Sequence, residues 1–168
     1  SEYARIIVNA SSNLSDLITS ILRLNKLENQ QIFPEKNRFI LNEQLCECML
    51  NFESEWESKK LIIETELDEE IHINGDADLL SLVWSNLISN AVKFCDEGDS
   101  VYVSLKKEDE KAVVRIRDTG CGMSKEILDK IFEKFYQGDA SRATKGNGLG
   151  LALVKRVIDI VGGEIEVR

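Results

Sequence analysis

The chain has 168 residues, about one domain with an appendage at roughly 150 residues per domain. With 43% hydrophobic and 30% charged residues it can build a core and remain in water, and 21 Lys and Arg against 30 Asp and Glu leave a net charge of −9. That acidic balance, without a basic stripe, argues against nucleic acid and against direct contact with an anionic membrane, because both select for clustered Lys and Arg. No apolar run reaches the roughly 20 residues that span a bilayer, and no signal peptide opens the chain, so a cytoplasmic location is expected. Ser1 to Arg5 already read as helix interior, which makes the sequence an expected piece of something longer. Four cysteines, Cys46, Cys48, Cys95 and Cys121, have neither a disulfide-framework spacing nor a CxxC pair, and read as reduced thiols.

Taken in chain order, apolar residues at Ile7, Ala10, Leu14, Leu17, Ile21 and Leu24 alternate steps of three and four. That is the seam of a bundle helix sustained for about three heptads, over residues 1–30. The only proline, Pro34, ends it and marks a boundary, giving one unit over 1–33 and a second over 34–168. In the second unit Arg38 to Leu41 reads as a strand, and Asn42 as the cap of a helix running to about Lys59. Leu61 to Leu67 and Ile71 to Asn74 read as strands, and Asp76 as the N-cap of a long helix to Phe94. Val101–Lys106 and Ala112–Arg117 form a hairpin across the charged segment 107–111. A short helix over Ser124–Lys130, a loop, a helix from Leu149 to Val161 and a strand from Glu164 complete the pattern. Strands and helices interleave without regular βαβ spacing, which favours an α+β two-layer sandwich, a mixed sheet packed on helices, with an N-terminal bundle helix.

Eight of the ten glycines lie between Gly120 and Gly163, where the backbone is expected to approach something closely. Three segments there and just upstream hold chemistry-bearing residues. Asn86, Asn90 and Lys93 share one stripe of an otherwise apolar helix, able to offer amide oxygen to a hard cation and positive charge to phosphates, or merely to face solvent. Asp118-Thr119-Gly120-Cys121-Gly122-Met123 follows a strand. Its carboxylate can accept from an exocyclic amine such as adenine's, although Asp-Gly turns are also common. Gly146-Asn147-Gly148-Leu149-Gly150-Leu151 opens a helix, where unpaired amides and the positive dipole end suit phosphate. It is neither a Walker loop nor a Rossmann fingerprint.

In this order, with Phe132-Glu133-Lys134-Phe135-Tyr136 between the last two, the segments resemble the ATP-binding domain of two-component sensor histidine kinases, over roughly residues 38–168. Residues 1–30, with Ser11-Ser12 and Leu24-Asn25-Lys26-Leu27-Glu28, are similar to the second helix of that family's dimerisation hairpin. The resemblance implies a Bergerat-type fold with ATP and Mg²⁺ as cofactors. Asn90 would be the Mg²⁺ ligand, and Asn86 and Lys93 would face the phosphates beside Phe94. Asp118 would accept from the adenine amine in a pocket shaped by Gly120, Gly122 and Met123. Ile131, Phe135 and Tyr136 would flank the nucleotide, and 137–147 would form a lid carrying Arg142 and Lys145. Gly146, Asn147 and the backbone of Gly148, Leu149, Gly150 and Leu151 would meet the phosphates. Implied partners are a phosphoacceptor-histidine helix of the parent kinase, a response regulator, and a second copy in a parent homodimer, itself membrane-anchored or not.

The sequence departs from the family pattern in places. Relatives that hydrolyse ATP carry Glu where this chain has Asn86, whose amide is no useful general base, so slow hydrolysis is expected. The phosphoacceptor histidine is absent: the only histidine, His72, lies in a strand on the wrong element. Autophosphorylation by the family route therefore needs a histidine from outside this sequence. The lid has Gln137 where Arg is frequent, and a final sheet strand is expected to be truncated. The alternative reading is a degenerate nucleotide- or partner-binding switch without kinase activity.

Overall fold

The computed structural model describes residues 1–67, 69–138 and 146–168. Helix α1 (Glu2–Asn29) starts at Ser1, whose hydroxyl accepts from Ala4 N (3.3 Å). Strand β1 (Asn37–Ile40) leads directly into α2 (Leu41–Leu50), a turn at Asn51-Phe52 and α3 (Glu53–Ser58). Strands β2 (Ile62–Glu66) and β3 (His72–Gly75) precede the long α4 (Ala77–Phe94). A hairpin of β4 (Ser100–Glu108) and β5 (Lys111–Asp118), the one-turn α5 (Lys125–Leu128) and α6 (Gly150–Val161) follow.

The main sheet has the order β2-β4-β5, with β2 parallel and β5 antiparallel to β4, while β1 and β3 pair antiparallel as a separate ribbon. Along β4, Val101, Val103 and Leu105 point inward and are almost completely buried. They meet Val83, Ile88 and Val92 of α4 and Leu153, Val154 and Val157 of α6 in one core. Glu64, Glu66, Lys106, Arg115 and Arg117 occupy the other face of the sheet, in accord with the period of two along each strand. The result is the expected two-layer α+β sandwich, helices on one face of a mixed sheet and an added helix at the start.

Several local expectations need correction. The helix expected from Asn42 to Lys59 is two helices, and Asn42 is not its cap, because the N-cap position is Ile40. Asn42 instead bonds to the β2–β3 connection, donating to Leu67 O (2.7 Å) and Glu69 O (2.8 Å) and accepting from Ile71 N (2.8 Å). A long-range demand for backbone partners outcompetes the local cap. The hairpin turn is only Asp109-Glu110, both in the left-handed region, so the strands run further into the charged segment than expected. The bidentate Arg115–Glu108 pair supports that extension. No strand forms from Glu164. The segment keeps an alternation, Ile165 and Val167 half-buried, but is held by Ile165 packing on the core and by Glu164 bonding Lys111 (2.8 Å) rather than by a ladder.

The seam of α1 is buried only at its lower end, where Leu24 and Leu27 sink into the core beside α6. Arg156 of α6 donates to Leu27 O (2.9 Å), and Lys134 pairs with Glu28 (2.7 Å). Further up, Ile7, Leu14 and Ile21 stand 65%, 56% and 41% exposed.

Candidate functional site

Helix α4 is the backbone of the site, and its sequence fixes both of its ends. Asp76 caps the first turn, accepting from Leu79 N (3.0 Å), and its second oxygen accepts from Glu35 N (2.8 Å), which ties the β1 approach to the same carboxylate. Val83, Trp84, Ile88, Ala91 and Val92 line its buried face, leaving Asn86, Asn90 and Lys93 on another stripe at steps of four and three. The last turn, with no further helix to bond it, has its Val92, Lys93 and Cys95 carbonyls bonded by the ammonium of Lys59.

Of three loops near that stripe, two touch α4, at Phe94 and at Asn86, and the third is bonded to the second of these. After β5, Asp118 Oδ1 accepts from Gly120 N (2.9 Å), and among the described residues nothing bonds Oδ2. The same loop is stapled to the start of β4 by Thr119 N to Ser100 O (3.0 Å) and Ser100 N to the Thr119 hydroxyl (2.9 Å). Gly120 lies so close to the end of α4 that a Cβ there would stand 2.4 Å from Phe94 O. Only glycine allows this approach, which joins the Asp118 loop to the last turn of α4.

The second and third loops are the segment after α5 and the start of α6. Phe135 N donates to Gly148 O (2.9 Å). Gly148 has a positive φ of 71°, and its missing Cβ would collide with Phe135 Cα at 2.7 Å. Gln137 Nε2 donates to Gly146 O (2.5 Å), a second rung beside the first. Asn147 turns its side-chain oxygen onto Leu149 N (3.0 Å) and donates its amide to the Ser20 hydroxyl of α1 (3.3 Å). The N-cap residue of α6, Leu149, makes no side-chain cap, so the first-turn amides Gly150 and Leu151 retain the donor capacity of an open helix start. Gly150 packs against Asn86 Oδ1, 2.8 Å from the position a Cβ would take.

The predicted residues fall into distinct groups. Asn90 and Lys93 lie on α4 between its contact with α6 at Asn86 and its contact with the Asp118 loop at Phe94, and neither side chain bonds another described residue. Asn86 is half-buried and already donates to Leu82 O (2.7 Å), so its amide is committed within the helix. Ile131 and Leu149 are buried, 6% and 1% exposed, while Met123 and Phe135 are 45% and 60% exposed. Tyr136 is half-buried, and Gly122 has a positive φ of 66° in an open loop. Arg142 and Lys145 lie outside the described residues. Two residues that sequence reasoning passed over also belong to this region. Ser20 is an unremarked α1 hydroxyl, and Lys59 sits beside Lys60 in what reads as a solvated pair, so no local signal marked either.

A half-buried amide and an ammonium without partners among the described residues, beside glycine backbone and an open helix N-terminus, make a polar cradle for an anion with its counter-cation. Nearby, burial pushes the Cys95 thiol up, Asp118 and Asp99 push it further, and Lys59 draws it back.

The fold is an α+β sandwich with a polar cradle beside α4. The profile described as "Histidine kinase-, DNA gyrase B-, and HSP90-like ATPase" matches residues 75–168, more than half of the chain, and the chain belongs to that family. It is similar to the heme sensor protein HssS of Staphylococcus saprophyticus, 33% identical over 166 residues that cover 99% of this chain and 35% of that protein. It is also 27% identical over 167 residues to the sensor-like histidine kinase SenX3 of Mycobacterium bovis, covering 98% of this chain and 41% of that one. The chain thus spans well under half the length of these relatives. Histidine kinase ThkA, solved in complex with the response regulator protein TrrA, shares the fold with a TM-score of 0.77 at 24% identity, over 97% of this chain and 45% of its own.

Within the family the chain is of the two-component histidine-kinase type, its ATP-binding domain preceded by α1. Among the described residues no helix is long and apolar enough to cross a membrane.

Proposed function

We propose that this chain binds ATP with Mg²⁺ in the cradle beside α4 and is the catalytic domain of a sensor histidine kinase. The observation that carries the reading is the pair of uncommitted polar side chains, Asn90 and Lys93, between two glycine-mediated contacts of α4. Asp118, with Oδ2 open, accepts from the adenine amine, and Gly120, Gly122 and Met123 form the surrounding loop. Lys93 and the first amides of α6 draw the phosphates by charge and dipole. Asn90 fits Mg²⁺ because its oxygen is neutral, hard and unclaimed, and the bound ion would supply charge neutralisation on the phosphates. Asn86 fits a structural role better than a phosphate contact, since its amide is already bonded.

The group transferred is the γ-phosphoryl. The bond from its phosphorus to the β–γ bridging oxygen breaks, a bond to an imidazole nitrogen forms, and ADP departs. The accepting histidine lies outside this sequence, on a first hairpin helix that α1 is shaped to meet, residues 1–33 being the second helix. The exposed seam at Ile7, Leu14 and Ile21 supports that role. With an amide at position 86 no side chain there activates water, so hydrolysis is slow and the phosphoryl is retained for transfer. A response regulator is the downstream acceptor, in keeping with the ThkA–TrrA complex.

The direct test supplies the missing hairpin helix in trans together with γ-labelled ATP. Label on the histidine is expected, and is lost in Asn90→Ala. Nucleotide bound without any label appearing on the histidine would replace this reading by that of a nucleotide-responsive switch.

A further inference from the structure

We infer that Lys59 is a positioning residue for the nucleotide site, acting through the last turn of α4; the inference rests on the nucleotide reading above. Lys59 is not in any of the segments that form the cradle. It closes α3, and its Nζ donates to three carbonyls of another helix: Val92 O (2.7 Å), Lys93 O (3.0 Å) and Cys95 O (2.9 Å). An ammonium has three donors, enough to serve all three carbonyls at once. The end of α4 has no glycine cap, its C-cap Cys95 being extended, and the side chain does the work that a left-handed cap does elsewhere.

The fourth carbonyl of the group, Phe94 O, faces the other way, against Gly120. Lys59 therefore selects which carbonyl of residues 92–95 meets the Asp118 loop. Rotation of that turn would carry Lys93 off its stripe and drive another backbone atom toward Gly120. The hold is reinforced by the backbone, because Lys59 O accepts from Gly98 N (3.1 Å) and Ile62 N donates to Asp99 O (2.9 Å). The ammonium also sits on the carbonyl of the buried Cys95, whose thiol Asp118 and Asp99 push up and Lys59 draws back. One side chain thus sets the relative placement of Lys93, at the phosphate end, and of Asp118, at the base end.

The test compares Mg-ADP affinity by calorimetry in the wild type, Lys59→Met, Lys59→Arg and a matched control, at a temperature where each is fully folded. The control is Asn42→Ala, which also removes three side-chain bonds to backbone, at Leu67, Glu69 and Ile71, but in the β2–β3 connection. Lys59→Met is expected to weaken Mg-ADP by about tenfold or more, the scale on which small misplacements of binding groups act. Arg should restore most of it, and Asn42→Ala should lower the melting temperature without changing affinity. Wild-type affinity in Lys59→Met, or an equal loss in Asn42→Ala, overturns the inference. If Lys59→Met does not fold, Lys59→Gln gives the same reading with the charge removed and two of the three donors kept on a shorter side chain. No binding by the wild type contradicts the nucleotide reading itself, a separate outcome from a Lys59 variant that binds normally.

Discussion

At the scale of single residues, the site is built as much by what is missing as by what is present. Gly120 and Gly148 each occupy a place where a Cβ would meet backbone at under 3 Å, so Ala at either position must move a loop. The charged residues follow a different logic on the far face of the sheet. There Lys106 bonds Glu66 (2.8 Å), Tyr102 donates to the same carboxylate, and the Glu66 carboxyl is held below its usual range, first by Lys106 and then by Tyr102. A depressed carboxylate stabilises the fold above the unfolded value, about pH 4.3, and loses that contribution as pH falls through the lower folded value. Lys106 is raised by the same partner, so its contribution is present below about pH 10.4 and is lost as pH rises through the folded value. The melting temperature should therefore fall on acidification below about pH 4, and less steeply in Lys106→Met than in the wild type. Parallel acid limbs in the two proteins would contradict this.

At the scale of elements, α4 was legible because its signals are local. An Asp after a glycine, an apolar stripe and three polar residues at helical spacing need no partner to be read, and Asp76 caps the helix as its position suggests. Because the same carboxylate also holds Glu35 N, Asp76→Ala should cost about 1–2 kcal/mol, in the upper part of the range for a lost cap. Chemical denaturation measures it, and a loss under about 0.5 kcal/mol would show that neither bond matters. What the sequence hid was long-range. Asn42 is a good local cap that the β2–β3 connection claims, and Lys59 is a surface lysine until α3 is folded against α4. Likewise Gln137, an apparent loss of a phosphate contact, bonds Gly146 across the loop base. The alternation after Glu164 has the period of a strand but reports only one-sided burial. Each of these depends on backbone brought from more than a turn away, and periodicity carries no information about that.

At the scale of the molecule, α1 links the bundle seam to the ATP-binding domain. Its lower end is fixed by Leu24 and Leu27 in the core, by Arg156 on Leu27 O and by Lys134 on Glu28, while Ser20 meets Asn147 at the glycine loop. Its upper half leaves Ile6, Ile7, Val8 and Leu14 more than half exposed, an apolar stretch that soluble monomers rarely leave uncovered. Sedimentation velocity should show a concentration-dependent dimer that the double variant Ile7→Glu, Leu14→Glu abolishes. A monomer at every concentration would contradict this use of the seam.

The central claim is that the cradle beside α4 binds Mg-ATP through Asp118 at one end and Asn90 and Lys93 at the other. Its most direct test is the thermal shift of the chain with and without Mg-ATP, in the wild type and in Asp118→Ala. Ligand at about 100 times Kd adds about 2.7 kcal/mol, which at this chain length raises the melting temperature by about 5–11 °C. The expected result is that shift in the wild type and its loss in Asp118→Ala. No shift at millimolar nucleotide, or an equal shift in both proteins, would contradict the site.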